Sequence, residues 1–291
     1  MYSSRLRRTA ATISGPLTAL ALTTALVLTG LALDPAPSAS PIAAAAGPDP
    51  ALAALAPPQP PITAYGPESA QPLGKPAPLT VPSSEYAFMQ KAPDGTPVAY
   101  DPCRPIHYVT RAANAPAEGA QLIKEAISAV SLATGLVFID DGATTEAPAA
   151  RHVSFQPDRY GARPAPVLIA WETQAEEPRF TDDPSAPTTT GGLSASEAFI
   201  TRDSVVTYAS GQVALNGPGV RRVIDHADGL NQARGVIEHE LGHLVGLDHV
   251  PGAQLMSPTL APGISSYQPG DLAGLSLLGQ GKCHPSFSLP G

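Results

Sequence analysis

The stretch His239-Glu240-Leu241-Gly242-His243-Leu244-Val245-Gly246-Leu247-Asp248-His249 holds three histidines, one glutamate and two glycines. On a helix, residues four apart lie one turn apart on the same face, so His239 and His243 can bind one metal ion together. Gly246 can adopt the positive φ that ends a helix, which brings His249 back toward this pair. Three histidines are a typical ligand set for catalytic zinc, because they leave one coordination position for water.

Glu240 follows the first histidine directly. It therefore projects from the same side of the helix as His239, without being placed to chelate beside it. A carboxylate in that position can accept a proton from a water molecule on the metal, which is general-base chemistry. The pattern HExxHxxGxxH predicts a hydrolytic site with one catalytic zinc ion, bound by His239, His243 and His249, and with Glu240 as the base.

Met256 stands seven residues after His249, in the run Leu255-Met256-Ser257-Pro258. With the histidine motif, this run resembles the Met-turn of the metzincin clan of zinc peptidases, and within that clan the matrixin-like group. The run Asp271-Leu272-Ala273-Gly274-Leu275 is similar to the helix that closes matrixin domains. The pair Gly191-Gly192, ahead of a predicted edge strand, is similar to exported bacterial members of the group.

The resemblance implies an α+β fold of mixed α/β character. We expect a twisted, mostly parallel sheet with an antiparallel edge strand, a backing helix, an active-site helix and a C-terminal helix. It also implies that Met256 lies beneath the metal as a hydrophobic floor for the histidines. The implied activity is that of a zinc-dependent endopeptidase acting on protein or peptide substrates.

Further metal ions are left open by the sequence. We do not find the loop that carries the structural calcium and second zinc ions of matrixins. The scattered candidates are more simply solvated or capping residues; they are His152, Asp225, His226 and Asp228. A structural Ca²⁺ or a second Zn²⁺ therefore remains undecided.

Cys103 and Cys283 are the two cysteines of the chain. In an exported protein such a pair most simply forms a disulfide, and two buried thiols are the alternative. Animal matrixins carry a cysteine in a removable pro-segment, where it caps the zinc. Cys103 directly precedes the first predicted strand of the domain, too deep to be shed, so we do not expect latency by a cysteine switch.

The N-terminus has the composition of an export signal. Arg5, Arg7 and Arg8 precede a run from Thr9 to Leu33 that contains no charged residue. Residues 1–33 thus predict a signal peptide, with an uncleaved membrane anchor as the alternative because the apolar core is about 18 residues long. The predicted location is outside the cytoplasm, either secreted or in the cell envelope.

Proline content distinguishes two parts in the rest of the chain, residues 34–82 and residues 83–291. Residues 34–82 are rich in Ala and Pro and poor in large apolar residues, which predicts a disordered linker or a short pro-segment. Residues 83–291 form the predicted peptidase domain. Its predicted strands are 106–110, 136–139, 153–155 and 167–171, then 205–208 and 212–215 around a hairpin or bulge; its predicted helices are 122–133, about 228–245 and 269–278. We expect the 205–215 region to form a sheet edge that holds an extended substrate.

The net charge of the chain argues against one class of partner, nucleic acid. The formal net charge is −8 and the chain has no Lys/Arg cluster in its C-terminal part, so we expect no nucleic-acid partner. Contact with a membrane is expected only through the possible N-terminal anchor, and the protein is expected to be a monomer. The alternative function is a non-catalytic, exported or surface-tethered zinc-binding or interaction protein on the same fold. The intact Glu240 argues against it, because a purely structural metal site does not need that carboxylate.

Overall fold

The computed structural model describes residues 24–29, 68–181, 183, 185, 188–201, 203–261 and 263–284 of the 291-residue chain. Most of the predicted signal peptide (1–33) and most of the predicted linker (34–82) lie outside these residues. None of the helices in the described part of the chain combines the length and apolar character needed to cross a bilayer.

Strands and helices follow each other in a mixed order along the described residues. The strands are β1 (Thr24–Thr29), β2 (Ala87–Phe88), β3 (Ile106–Arg111), β4 (Phe138–Ala143), β5 (Val167–Glu172), β6 (Thr188–Ile200), β7 (Val206–Asn216) and β8 (Leu247–Asp248). The helices are α1 (Gly119–Thr134), α2 (Pro157–Tyr160), α3 (Gly217–Ile224), α4 (Gly229–Val245) and α5 (Pro269–Leu278).

Six of the strands form one sheet in the order β1-β6-β7-β5-β3-β4. Neighbours from β4 through β3 and β5 to β7 run parallel, whereas β6 is antiparallel to both β7 and β1. Every residue of β5 is buried, as expected of a central strand in a mostly parallel sheet. The predicted class, mixed α/β with a mostly parallel sheet and an antiparallel strand toward one edge, is confirmed.

Helices α1 and α4 pack against each other, and α4 also packs against β6 and β7 of the sheet. The apolar stripe of α1 recurs at helical spacing and is buried; it consists of Leu122, Ile123, Ala126, Ile127, Val130 and Ala133. The helix ends as predicted, because Gly135 takes φ = 75°, a conformation that costs glycine little. This buried stripe belongs to the same core cluster as the stripe of α4, so the packing of α1 supports the helix that carries the metal motif.

The interior position of β7 corrects the expectation about the sheet edge. Residues 205–215 were expected at the edge, but β7 (Val206–Asn216) is a single strand paired with β5 on one side and β6 on the other. Most of its residues are buried, as expected of a strand in the interior of the sheet. The predicted hairpin or bulge is a bulge at Ala209, because Glu197 pairs with Ser210 and Ala198 pairs with Tyr208.

The strand predicted at 153–155 is also wrong. Only Phe155 takes part in pairing, through an isolated bridge to Pro164. The apolar run 153–155 has no neighbouring strand with which to form a ladder, so its β-propensity alone does not make it a strand.

Residues between β1 and β2, from residue 68 onward, are hydrogen-bonded to other parts of the domain. The Leu73 N–H donates to the Pro102 carbonyl at 2.9 Å, and the Ala77 N–H donates to the Leu132 carbonyl at 2.9 Å. Farther along, β2 pairs with β8, next to the end of the metal-site helix. The part of the predicted linker from residue 68 onward is therefore hydrogen-bonded to the domain.

The disulfide predicted between the two cysteines is confirmed. Cys103 is bonded to Cys283, with 5.3 Å between their Cα atoms. The bond joins the start of β3 to the segment after α5 across 180 residues of sequence. On the chain-entropy estimate, closing so long a loop stabilises the fold by roughly 5 kcal/mol.

Candidate metal centre

Helix α4 carries the first two histidines into the core. Its apolar stripe is fully buried; it consists of Ala233, Val236, Ile237, Leu241 and Leu244. His239, Glu240 and His243 have no exposed surface, because they lie on the same buried part of the helix. At the end of the helix, Gly246 has φ = 124°, which a side chain would disfavour. The chain turns there into β8 and reaches His249.

The three histidine side chains converge on one point. The Nε2 atom of His249 lies 3.1 Å from Nε2 of His239 and 3.1 Å from Nε2 of His243. A tetrahedral zinc site with Zn–N bonds of 2.0–2.1 Å separates its ligand nitrogens by about 3.3–3.4 Å. Among the described residues these three form the one group of at least three His, Cys, Asp or Glu side chains with metal-site spacing. The cluster can hold a metal ion.

Backbone carbonyls determine which nitrogen of each helical histidine carries the proton. His239 Nδ1 lies 2.7 Å from the Leu255 oxygen, and His243 Nδ1 lies 2.8 Å from the Leu247 oxygen. Since a carbonyl oxygen only accepts, each Nδ1 must donate, and each neutral ring directs the lone pair of Nε2 into the cluster. Two Nε2 lone pairs thus point toward the Nε2 atom of His249 at 3.1 Å, and this donor set fits a metal ion.

Burial also keeps the histidines neutral. Loss of hydration, followed by the proximity of the other imidazoles, lowers the pKa of His239 and lowers the pKa of His243 to about 3. The pKa of His249 is lowered by burial as well. Neutral imidazole is the form that binds metal, so all three ligands are ready to bind at neutral pH.

Met256 lies directly beneath the helix. A Cβ atom on Gly242 would lie 2.6 Å from the Met256 Sδ atom, which shows how closely the turn approaches α4 between the two histidines. The turn is held from the other side by Asp271, whose carboxylate accepts the N–H groups of Leu255 at 2.7 Å and Met256 at 3.2 Å. Met256 therefore packs against α4 between the two helical histidines, and its turn is attached to α5.

The edge-side strand β6 contacts the candidate base. A Cβ atom on Gly192 would lie 2.5 Å from Cγ, 2.8 Å from Cδ and 2.9 Å from Oε1 of Glu240. Apart from a family resemblance, nothing in the local sequence indicates why this position needs a glycine, because the contact joins residues far apart in the chain. Asp271 did carry a local signal, since with Gln268 it forms the capping box of α5.

The scattered metal candidates have other environments. Asp225 stands at the C-cap position of α3, and Asp228 stands at the N-cap position of α4, where its side chain makes no capping hydrogen bond. His152 is buried rather than solvated, which corrects that expectation. Its Nε2 atom lies 3.2 Å from the carboxylate of Glu146, and its Nδ1 atom lies 3.2 Å from the Ser210 hydroxyl. The carboxylate of Glu146 is the polar partner that allows the imidazole of His152 to be buried.

Comparisons with known proteins leave the family open. No family model and no curated protein matches this chain. Among solved structures, it is similar to the GM1-bound form of the ECX AB5 holotoxin, with 10% sequence identity and a TM-score of 0.35. That match covers 73% of this chain and 93% of the other. A likeness this weak carries no argument about activity.

Proposed function

We propose that this protein is an exported zinc-dependent endopeptidase of the matrixin-like type. The observation that carries the proposal is the arrangement around α4. Three Nε2 atoms converge within bonding distance of one ion, while the buried carboxylate of Glu240 lies on the same helix beside His239. A structural site needs the histidines alone, whereas hydrolysis needs a base as well.

The ligand chemistry favours zinc. His239, His243 and His249 supply three neutral nitrogen donors, a set that suits zinc and leaves one coordination position open. Bound there, zinc would lower the pKa of water to about 7 and polarise a substrate carbonyl. The burial of His239, Glu240 and His243 strengthens the electrostatic interactions within the site.

Glu240 performs the proton transfers in the proposed mechanism. Its carboxylate accepts a proton from the water that attacks the peptide carbonyl, and then delivers that proton to the amine that leaves. Meanwhile Leu255 and Leu247 hold the Nδ1 protons of His239 and His243, so the orientation of both rings is maintained through the reaction.

The outer side of β6 is the proposed substrate edge. This strand carries Gly192 next to Glu240, so an extended peptide added to it would pass the metal centre. β1 already pairs antiparallel with this side of the strand, with Leu26 opposite Gly192. Cleavage of the proposed signal peptide (1–33) would remove β1 and leave the edge available to a substrate in the same extended form.

Substitution of the base tests the proposal. We expect Glu240→Ala to lower the cleavage of a proteome-derived peptide library by a factor of about 10² to 10⁴. Bound zinc, measured by mass spectrometry, should remain near one ion per chain. His243→Ala is the matched control and should lose both cleavage and zinc. Wild-type protein that binds zinc but cleaves no peptide would instead favour the non-catalytic alternative.

A further inference from the structure

We propose that Gly192 is a positioning residue for Glu240: the absent side chain leaves the space that the carboxylate occupies. The catalytic consequence rests on the proposed function, whereas the contact itself does not. A Cβ atom at this position would approach three successive side-chain atoms of Glu240 to 2.9 Å or less. Contacts under 3 Å between carbon atoms are strongly repulsive, so one of the two residues would have to move.

β6 lies across α4 at two successive turns of the helix. The first contact is between Gly192 and Glu240, and the second is the hydrogen bond from the Ser196 hydroxyl to the Leu244 carbonyl at 2.6 Å. Glu240 and Leu244 are one helical turn apart, and Gly192 and Ser196 lie on the same face of the strand. With the strand tied to the helix at Ser196, it cannot easily withdraw at Gly192.

The requirement for glycine is steric and not conformational. Gly192 is absent from the described glycines with positive φ, so an alanine could adopt its backbone conformation without strain. Glu240 has no exposed surface, which leaves its side chain little room to evade a new methyl group. An alanine at position 192 would therefore push the carboxylate away from its place beside the histidines.

The expected functional effect is on the chemical step. A displacement of about 1 Å in a catalytic group can lower the rate about 10²-fold. We therefore expect Gly192→Ala to reduce kcat by about that factor, with KM changed by less than about threefold, because substrate binding does not depend on the proton transfer. The zinc content should be unchanged, since the histidines are not displaced.

A double-mutant cycle separates this contact from a general defect in folding. The proteins are the full-length wild type, Gly192→Ala, Glu240→Ala and the double variant. We expect Gly192→Ala to lower the midpoint of thermal unfolding by about 5 °C in the wild type. In the Glu240→Ala background, where the clashing atoms are gone, the same substitution should lower it by less than about 1 °C. If Gly192→Ala does not fold but the double variant does, the steric contact is equally supported.

Two control variants complete the experiment. Glu118→Gln changes an exposed residue just before α1, on neither β6 nor α4, and should leave kcat unchanged. Gly281→Ala adds a methyl group no closer than 3.5 Å to its neighbours and should leave the unfolding midpoint unchanged. Equal destabilisation by Gly192→Ala in both backgrounds would overturn the proposal, as would a kcat within threefold of wild type. Wild-type protein without peptidase activity would refute the proposed function, while the thermal cycle still decides whether Gly192 positions Glu240.

Discussion

The Asp271 carboxylate accepts the backbone N–H of Leu255 at 2.7 Å, and the carbonyl of Leu255 accepts the Nδ1–H of His239 at 2.7 Å. One residue of the turn therefore connects the C-terminal helix α5 to the first histidine of the cluster. Asp271 is buried and also accepts the N–H groups of Met256 and Gln268. Its position determines where the Leu255 carbonyl lies, and the carbonyl in turn orients the imidazole.

Removal of this carboxylate should weaken metal binding without touching a ligand. We expect Asp271→Ala to lower the affinity for zinc about 10- to 100-fold, because outer-shell hydrogen bonds orient the ligating imidazole. Competition with a chromophoric chelator measures the affinity. Asp271→Asn retains one accepting oxygen and should lie between the wild type and the alanine variant. An unchanged zinc affinity in Asp271→Ala would show that the turn keeps its position without the carboxylate.

Glu172 should make the protein less stable as the pH rises toward neutrality. Burial, assisted by Glu177 and Glu176, raises the pKa of Glu172 to about 7, against an ordinary value of 4.5. The folded state therefore binds more protons between pH 4.5 and 7, and this contribution to stability declines across that interval. We expect Glu172→Gln to raise the unfolding midpoint at pH 8 more than at pH 5. Glu118→Gln, at an exposed position, is the control; an equal effect of Glu172→Gln at both pH values would contradict the argument.

Glu146 should act in the opposite direction at acidic pH. Burial alone would raise its pKa, but hydrogen bonds from His152, Tyr160 and Gln156 outweigh burial and lower the pKa to about 2. The ionised carboxylate therefore stabilises the fold above pH 4.5, and this contribution is lost as the pH falls from 4.5 toward 2. We expect Glu146→Gln to lower the unfolding free energy at pH 7 by on the order of 2 kcal/mol. Urea titrations at pH 7 and pH 3 should show the difference shrinking at the lower pH.

The disulfide should stabilise the fold without shaping the metal centre. Replacing Cys103 and Cys283 by serine removes a constraint worth roughly 5 kcal/mol in the unfolded chain. For a domain of this size we expect the unfolding midpoint to fall by about 10 °C or more. Zinc content at 20 °C should be retained, because none of the ligands lies on the segments that the bond connects. Reduction of the wild-type protein should give the same shift, and a midpoint unaffected by either treatment would contradict the estimate.

Local patterns predicted the elements whose contacts repeat along the chain. The stripe of α1 and its terminal Gly135 followed from helical spacing, and the central position of β5 followed from its unbroken apolar run. The strand at 153–155 and the edge position of 205–215 failed for a common reason. Which strand lies beside which is decided by long-range pairing, and a short apolar run does not specify its neighbours.

The sequence by itself predicted the three histidines of the cluster, the candidate base Glu240 and the turn at Gly246, because these predictions depend on helix periodicity and on the conformational freedom of one glycine. Only the tertiary structure decided how these groups are held. The acceptor for His239 comes from the turn at Leu255, and the space for Glu240 comes from a strand that meets the helix at Gly192. Both contacts depend on how separate segments pack, so the run Leu255-Met256 and the pair Gly191-Gly192 were noticed only through a family resemblance, and neither shows locally which residue it contacts.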